Sequence, residues 1–448
     1  MTPGPAAPAD ERPEAGRPGA EDEVVDLCRD LIRIDSSNYG DGSGPGERKA
    51  AEHVMSLLDE VGIEGELIES EPTRANVIFR LEGQDPSRDA LVLHGHLDVV
   101  PAQAPDWQVD PFSGEIRDGM LWGRGAVDMK DMDAMMLAVI REFARTGTKP
   151  ARDVVVAFFA DEEAGGAKGA HWLVEHRPEL FEGASEAVSE VGGFSIDVAG
   201  QRCYLVQTAE KGIRWLRLVA EGRAGHGSQV GTDNAVTHLC EAVARIGNHQ
   251  WPIEITPPVQ RFLDAISEVT GLEFDRQDPS ELLAQLGTTA RWVGATLQNT
   301  ANPTMLQAGY KHNVIPTEAA ALVDCRFLAG REDELMRTIT ELVGDRVRIE
   351  TLVQDVALDA PFDVPLTDRM AAALLAEDPD ARVLPYCLSG GTDNKSMSLL
   401  GINGYGFAPL RLPADLDFSG LFHGVDERVP VDALLFGTRV MRRFLLDC

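Results

Sequence analysis

The chain has 448 residues, 44% of them hydrophobic and 25% charged, so it holds enough apolar material for a large buried core. Its 41 Lys and Arg against 73 Asp and Glu give a formal charge of −32. Such an acidic chain repels phosphate backbones and anionic lipid, which excludes nucleic acid and membrane surfaces as expected partners. No stretch approaches the ~18 apolar residues that a membrane-spanning helix needs.

The amino terminus and the cysteines indicate the compartment. Residues 1–20 are rich in Pro and lack the basic start and apolar stretch of a secretory signal, so we expect a disordered tail. The six cysteines are scattered without a CxxC pair, which is typical of reduced thiols in a cytoplasmic protein.

The first globular part alternates helices with strands. Apolar periodicity predicts helices near 21–32, 47–61 and 131–146, and short apolar runs predict buried strands at 90–93, 153–160 and 184–188. This alternation favours an α/β fold with a doubly wound, mostly parallel mixed sheet. Such sheets bind ligands beyond the carboxyl ends of their strands, and ionisable residues follow each of the three runs.

A different pattern begins near residue 211. Strands at 213–220, 304–310, 319–327 and 347–353 and helices at 235–246 and 332–343 form a βαββαβ order, which predicts a compact α+β unit. Helices at 368–376 and 431–446 then resume the first pattern. We therefore expect a catalytic domain at 21–210 and 358–448, with a lid domain inserted at 211–357 and lengthened by residues 249–303.

The first two candidate metal ligands in the chain are His96 and Asp128. His96 can bind a metal while Asp98, two residues on, accepts its second N–H; a structural His–Asp pair is the alternative. We expect the nearby His94 to be a packed, hydrogen-bonded histidine. Asp128 follows a Gly-spaced loop and is either a helix N-cap or a bridging carboxylate.

Asp161, Glu162 and Glu163 directly follow a fully apolar strand, where desolvation penalises adjacent like charges. A counter-cation would relieve that repulsion, whereas a solvated acidic loop is the alternative. On an extended segment the two glutamates point to opposite sides, so one can bind a metal while the other faces a metal-bound water. Glu190 and His423 complete a nitrogen and oxygen donor set that zinc accepts.

Five motifs stand in the chain in a fixed order: HGHLDVVP, GRGAVDMK, DEEAGG, SEVGG and FHGVDE. In these motifs the chain resembles the dizinc exopeptidase and deacylase family of aminoacylase, acetylornithine deacetylase, succinyl-diaminopimelate desuccinylase, bacterial glutamate carboxypeptidase and yeast carboxypeptidase S. The match spans roughly residues 21 to 448. One departure is Ser189-Glu190-Val191, where the family more usually has Asn-Glu-Gly.

The resemblance implies two Zn²⁺ ions that share Asp128. The implied ligands are His96, Asp128 and Glu190 for one ion and Asp128, Glu163 and His423 for the other. Glu162 is the implied general base, and Asp98 the acid that orients His96. Co²⁺ and Mn²⁺ accept the same ligands, so the metal identity stays open.

The resemblance also implies roles for residues outside the metal set. His226, in an Ala-Gly-His-Gly-Ser stretch of the lid, stabilises the oxyanion, and the substrate pocket is lined by Asn313, Arg326, Gly391, Thr392 and Asp393. A lid salt bridge is the alternative for Arg326. The lid also implies a homodimer, although residues 249–303 leave the choice between monomer and dimer open.

The implied activity is hydrolysis of amide or peptide bonds in small substrates, either dipeptides or N-acyl amino acids, by a metal-bridging hydroxide with Glu162 as base. The motifs do not separate a carboxypeptidase-like metallopeptidase from an aminoacylase-like deacylase. A carbamoyl-amide hydrolase of the same superfamily also stays open, as does a non-catalytic acidic binding protein of this fold. The binding protein is expected to have lost Glu162 or a ligand, and none is missing.

Overall fold

The computed structural model describes residues 18–448, apart from the side chains at 288–289 and 291–292. Residues 1–17, most of the predicted tail, lie outside the described residues. Up to residue 210 the elements are α1 (Ala20–Ile32), α2 (Arg48–Asp59), β1 (Glu66–Glu71), β2 (Arg74–Leu81), β3 (Ala90–His96), β4 (Glu115–Arg117), β5 (Met120–Trp122), α3 (Lys130–Thr146), β6 (Val154–Phe159), α4 (Ala170–His176), β7 (Ala184–Ser189), β8 (Ser195–Val198) and β9 (Gln201–Glu210).

The later elements are β10 (Gly212–Glu221), β11 (Gly225–His226), α5 (Ala235–Gly247), α6 (Pro257–Thr270), α7 (Ser280–Leu283), α8 (Ala290–Ala295), β12 (Thr300–Ala308), β13 (Val314–Ile315), β14 (Glu318–Phe327), α9 (Glu332–Val343), β15 (Val347–Asp355), β16 (Leu358–Asp359), α10 (Pro365–Glu377), β17 (Arg382–Leu388), α11 (Asn394–Ser398), β18 (Asn403–Gly406), β19 (Arg428–Pro430) and α12 (Val431–Asp447). In this described part of the chain no helix combines the length and apolarity needed to cross a bilayer.

Ten strands form a mixed sheet, called here the large sheet, with the order β1-β2-β6-β3-β7-β18-β9-β16 and with β8 and β17 also paired to β9. Its centre, β6-β3-β7-β18, is parallel. Alternate residues of β3 enter different cores: Leu91 and Leu93 pack in the core that holds α1, α3 and α12, and Val92 packs in the core that holds α4. Helices cover both faces, which confirms the predicted doubly wound α/β fold.

Four antiparallel strands in the order β12-β14-β10-β15 form a second sheet, called here the small sheet. Helices α5 and α9 supply Leu239, Leu335 and Ile339 to its core, opposite Leu216 and Leu218 of β10. The inserted α+β unit with its βαββαβ order is therefore present.

The segment that lengthens the insertion packs elsewhere. Phe262 and Ile266 of α6, and Leu286 after it, belong to the core of the large sheet, because the apolar stripe of α6 lies on β17. The chain consequently passes between the two sheets four times, at 210–212, 247–257, 295–300 and 355–358. The boundaries of a lid domain stay a prediction.

Candidate metal centre

The candidate ligands meet at the carboxyl edge of the large sheet. His96 is the last residue of β3, Glu163 lies four residues after β6, and Glu190 follows β7 directly. Asp128 comes from the loop before α3 and His423 from the loop before β19. Carboxyl ends of neighbouring parallel strands lie side by side, so residues far apart in sequence converge there.

The first group comprises His96, Asp128 and Glu190, whose donor atoms all lie within 4.8 Å of one another. Nε2 of His96 is 3.2 Å from Oδ1 of Asp128 and 3.6 Å from Oε2 of Glu190. Nδ1 of the same ring lies 3.0 Å from the carbonyl oxygen of Asp98. A neutral His96 that donates Nδ1–H to this carbonyl presents the Nε2 lone pair to a cation.

The second group comprises Asp128, Glu163 and His423. Nε2 of His423 is 3.1 Å from Oδ2 of Asp128 and 3.0 Å from Oε2 of Glu163. Asp128 therefore directs one carboxylate oxygen toward each histidine, which is the arrangement expected of a ligand shared by two ions.

The carboxylate of Asp98 organises the next layer. Its oxygens accept the backbone N–H groups of Glu162 and Glu163, both at 3.1 Å, and the side-chain amide of Asn38 at 2.9 Å. It lies 3.5 Å from Nδ1 of His96, farther than its own carbonyl. Asp98 thus holds the acidic turn as well as the histidine, and the sequence had suggested only the second contact.

The acidic segment differs from the predicted extended conformation, and that detail of the prediction was wrong. Asp161 has φ 66°, in the left-handed region, and residues Glu162–Ala164 form a 3₁₀ turn. The N–H of Gly166 donates to the carbonyl of Asp161 at 2.7 Å, which closes the turn. Even so, Glu162 lies 3.9 Å from His96 and Glu163 lies 3.0 Å from His423, so the two acids face different groups.

Burial and neighbouring charges shift the pKa values of the ionisable groups at this centre. Burial, with the charge of Asp128 adding to it, raises the pKa of Glu190 to about 7. The same two causes raise the pKa of Glu163. Hydrogen bonds to Asp128 and Glu163 raise the pKa of His423 to about 10. The raised pKa values show that these groups favour protonation when no other cation neutralises the carboxylates. The nitrogen and carboxylate donors suit a divalent metal such as zinc.

The predicted substrate residues lie at three places in the fold: His226 with Asn313, Arg326 on β14, and Gly391 with Thr392 before α11. Exposed His226 pairs with Val314 across the short β11–β13 ladder, beside Asn313, and its Nδ1 lies 2.8 Å from the hydroxyl of Ser228. Arg326 makes a bidentate contact with Asp324 at 2.7 and 3.1 Å, the salt bridge that was its alternative explanation.

Gly391 and Thr392 precede α11, and Thr392 is buried. In the described residues no hydrogen bond or ion pair joins these two or His226 to the five candidate ligands.

Sequence reasoning missed Glu427, although it is the last residue of the motif that contains His423. It is fully buried, and its carboxylate accepts the N–H groups of Gly125 and Val127 at 3.1 and 2.8 Å and a guanidinium N–H of Arg124 at 2.6 Å. These bonds fix the Gly-spaced loop that carries Asp128. Asp393, which the resemblance placed in the lining of the substrate pocket, is buried, and burial raises its pKa well above the usual range.

The family model described as Peptidase family M20/M25/M40 matches residues 92–447. N-fatty-acyl-amino acid synthase/hydrolase PM20D1 of Xenopus tropicalis is 28% identical over 439 residues, which cover 92% of this chain and 83% of that protein. Human aminoacylase-1 is 25% identical over 441 residues, 96% of both chains. The structure of an M20 family metallo-carboxypeptidase from Sulfolobus solfataricus matches with a TM-score of 0.74 at 17% identity, covering 95% of this chain and 99% of that one, which shows a shared fold.

Proposed function

Since the chain belongs to peptidase family M20/M25/M40 and is thus a hydrolase of amide bonds in small substrates, we propose that it is a dizinc enzyme acting on N-acyl amino acids or dipeptides. The observation that carries this proposal is the pair of three-residue groups that share Asp128, with Glu162 beside one of them. When bound, two divalent cations supply Lewis acidity and lower the pKa of a coordinated water toward neutral pH.

Glu162 is the proposed general base. Its carboxylate lies at the edge of the first group, with 15% of the side chain exposed. Burial, reinforced by the charge of Glu190, raises its pKa well above the usual range. A carboxyl group tuned in this direction can take a proton from the attacking water and pass it to the leaving nitrogen as the C–N bond breaks.

Arg326 is the proposed partner of a substrate carboxylate. The contact with Asp324 uses Nε and one terminal nitrogen, which leaves Nη1 and the outer edge of the guanidinium for a second carboxylate. His226 is the proposed oxyanion donor, since an exposed imidazole on a short ladder can present Nε2–H while Nδ1 contacts Ser228.

We also propose a homodimer through the small-sheet region. Its edge strand β12 exposes Met305 and Leu306, at 62% and 63% of their surface. Large exposed apolar side chains on an edge strand are unusual in a monomer, and pairing with a second copy would cover them.

A substrate panel with metal analysis on the same preparation tests the proposed function. It contains N-acyl amino acids, dipeptides, their carboxamides and N-carbamoyl amino acids. We expect two zinc ions per chain and turnover of free acids, with kcat/KM for the matching amides lower by at least ~10-fold because the bidentate carboxylate contact is lost. Preference for the N-carbamoyl compounds, or no turnover of any amide by metal-loaded protein, would contradict it.

A further inference from the structure

Two buried lysines lie where the chain passes between the two sheets. Lys211 separates β9 of the large sheet from β10 of the small sheet and is 1% exposed, and Lys395, in α11, is 3% exposed. Buried ammonium groups are rare unless each proton has an acceptor, because the interior does not replace water's solvation of the charge. The hydrogen-bond acceptors of the two ammonium groups therefore show which segments of the chain the lysines hold together.

Lys211 connects two of the four segments in which the chain passes between the sheets. Its Nζ donates to the carbonyls of Ala295 and Gln298 at 2.9 and 2.7 Å and lies 3.3 Å from the hydroxyl of Thr300, where the chain enters β12. Its backbone N–H donates to the carbonyl of Leu388, the last residue of β17. The passages at 210–212 and 295–300 are thus tied together at the start of the loop 389–393.

Lys395 adds a third passage and the loop itself. Its Nζ donates to the carbonyl of Lys211 at 2.9 Å and lies 3.7 Å from the carboxylate of Asp355, the last residue of β15. A Cβ built on Gly391 would lie 2.9 Å from the same Nζ, so the loop runs directly against the ammonium group. Lys395 therefore contacts the loop that carries two proposed substrate residues and two of the four passages, at Lys211 and at Asp355.

Glu210 fixes the other side of the loop. Its carboxylate accepts the backbone N–H of Thr392 at 3.0 Å and the Thr392 hydroxyl at 2.6 Å. Glu210 immediately precedes Lys211, so the loop is held by two consecutive residues of one passage. Its geometry relative to Arg326, which stands on the small sheet, consequently depends on these few contacts.

We propose that Lys395 is a positioning residue that sets loop 389–393 against the small sheet, so that Gly391 and Thr392 face the same substrate as Arg326. The inference rests on the proposed function for its substrate. None of the contacts of Lys395 reaches Glu162 or the five metal ligands, so its loss should weaken substrate binding and leave the chemical step nearly intact.

The test compares Lys395→Met, Asp355→Asn and the double variant with the wild type in steady-state kinetics on the best substrate of the panel. Lys149→Met is the matched control, because Lys149 is half exposed and pairs with Glu82 on a distant surface. We expect Lys395→Met to raise KM at least ~10-fold with kcat within ~3-fold, since it leaves buried acceptors unpaired. Asp355→Asn should raise KM only about 2- to 5-fold, because the carboxylate of Asp355 is 39% exposed.

The double variant should raise KM no further than Lys395→Met does, because both changes remove one interaction. A KM within twofold of the wild type in Lys395→Met, or a kcat that falls as far as kcat/KM, overturns the proposal. If Lys395→Met does not fold, the test rests on Asp355→Asn. An unchanged KM in Asp355→Asn would then contradict the proposal.

Amide hydrogen exchange gives a readout that needs no turnover. The peptide that contains residues 389–395 should exchange faster in Lys395→Met and Asp355→Asn, while the peptide of β6 stays unchanged. Equal protection of residues 389–395 in wild type and variants refutes the anchoring. A wild type that is inactive on the whole panel refutes the proposed function instead, so the two failures are distinguishable.

Discussion

Glu162 and Glu163 show how two identical neighbours acquire different chemistry from their surroundings. The 3₁₀ turn places Glu163 3.0 Å from His423 and leaves Glu162 3.9 Å from His96. The backbone N–H of Val100 also donates to Glu163 at 3.1 Å, which holds that carboxylate in place. Glu163 therefore has the fixed geometry of a ligand, whereas Glu162 lies farther from its histidine and has 15% of its side chain exposed, against 4% for Glu163.

For Glu162 we expect Glu162→Gln to retain both metal ions and to lose at least ~10²-fold in kcat, because the amide keeps the shape but cannot accept the proton. Metal content by atomic emission and kcat on one substrate measure both effects. Turnover comparable to the wild type would remove Glu162 from the role of base.

For Glu163 the expected result is the reverse. Glu163→Ala removes one of three donors of the second group, so the purified, dialysed variant should carry fewer than two ions per chain. Glu60→Ala is the control, since Glu60 is an exposed acid paired with Arg141. Two ions per chain in Glu163→Ala would reject its assignment as a ligand.

At the residue scale the sequence was most informative where chemical groups stand together in a short motif, although it did not reveal Glu427 in the motif of His423. His96 and Asp98 or Glu162 and Glu163 stand together in the chain, so their chemistry can be inferred from short strings. Asn38 could not be found in this way, because its significance arises only when its amide contacts Asp98 and Asp161, at 2.9 and 3.0 Å. Those contacts span 60 and 123 residues of the chain.

At the scale of elements, hydrophobic periodicity located β3, β6, β7 and the helices α1, α3 and α12, because burial selects apolar residues at regular spacing. It did not locate the buried strands β2, β9 and β17. It failed at the acidic turn, where the carboxylate of Asp98 and the closing N–H of Gly166 decide the conformation. It also did not reveal that α6 packs on β17, because an amphipathic helix shows that it has a partner but not which one.

The loop before α3 yields a prediction at this scale. Glu427→Gln replaces one acceptor oxygen with a donor, so a backbone N–H of the loop loses its partner and the position of Asp128 relaxes. Because Asp128 serves both groups, we expect the affinity for both ions to fall at least ~10-fold. Competition with a chromophoric chelator measures this.

Glu66→Gln serves as the control for that variant. Glu66 is an exposed acid paired with Arg177 on the outer strand β1, far from the loop. Unchanged affinity for both ions in Glu427→Gln would show that Glu427 contributes stability without positioning the shared ligand.

For the whole molecule, sequence composition could not show how many acidic side chains are buried. The excess of acidic residues was evident, but composition does not tell which acids are buried. Burial raises the pKa of Glu210 and Glu427 to about 7, as it does for Glu190. Glu47 reaches about 7 as well, through burial and the charge of Asp98. The folded protein thus holds protons that its unfolded chain releases.

This difference predicts how stability depends on pH and metal. Between pH ~4.5 and ~7 the unfolded chain has lost these protons and the folded, metal-free chain retains them, so linkage requires its stability to fall as pH rises through that window. If zinc binds the proposed ligands, it would replace the proton on Glu190, and its binding would strengthen as the ligands deprotonate. We therefore expect the Tm of chelator-treated protein to fall by at least ~3 °C from pH 5 to pH 8, and the Tm gain on adding zinc to grow over the same range.

Calorimetry at matched ionic strength, with and without zinc, measures both trends. Glu210→Gln is the informative variant, since Glu210 lies outside the metal groups and its amide mimics the protonated acid. It should flatten the fall of the metal-free Tm and leave the pH dependence of the zinc gain unchanged. A metal-free Tm that rises between pH 5 and pH 8 would mean that the buried acids are ionised in the fold, and the electrostatic case for a cation pair would then fail.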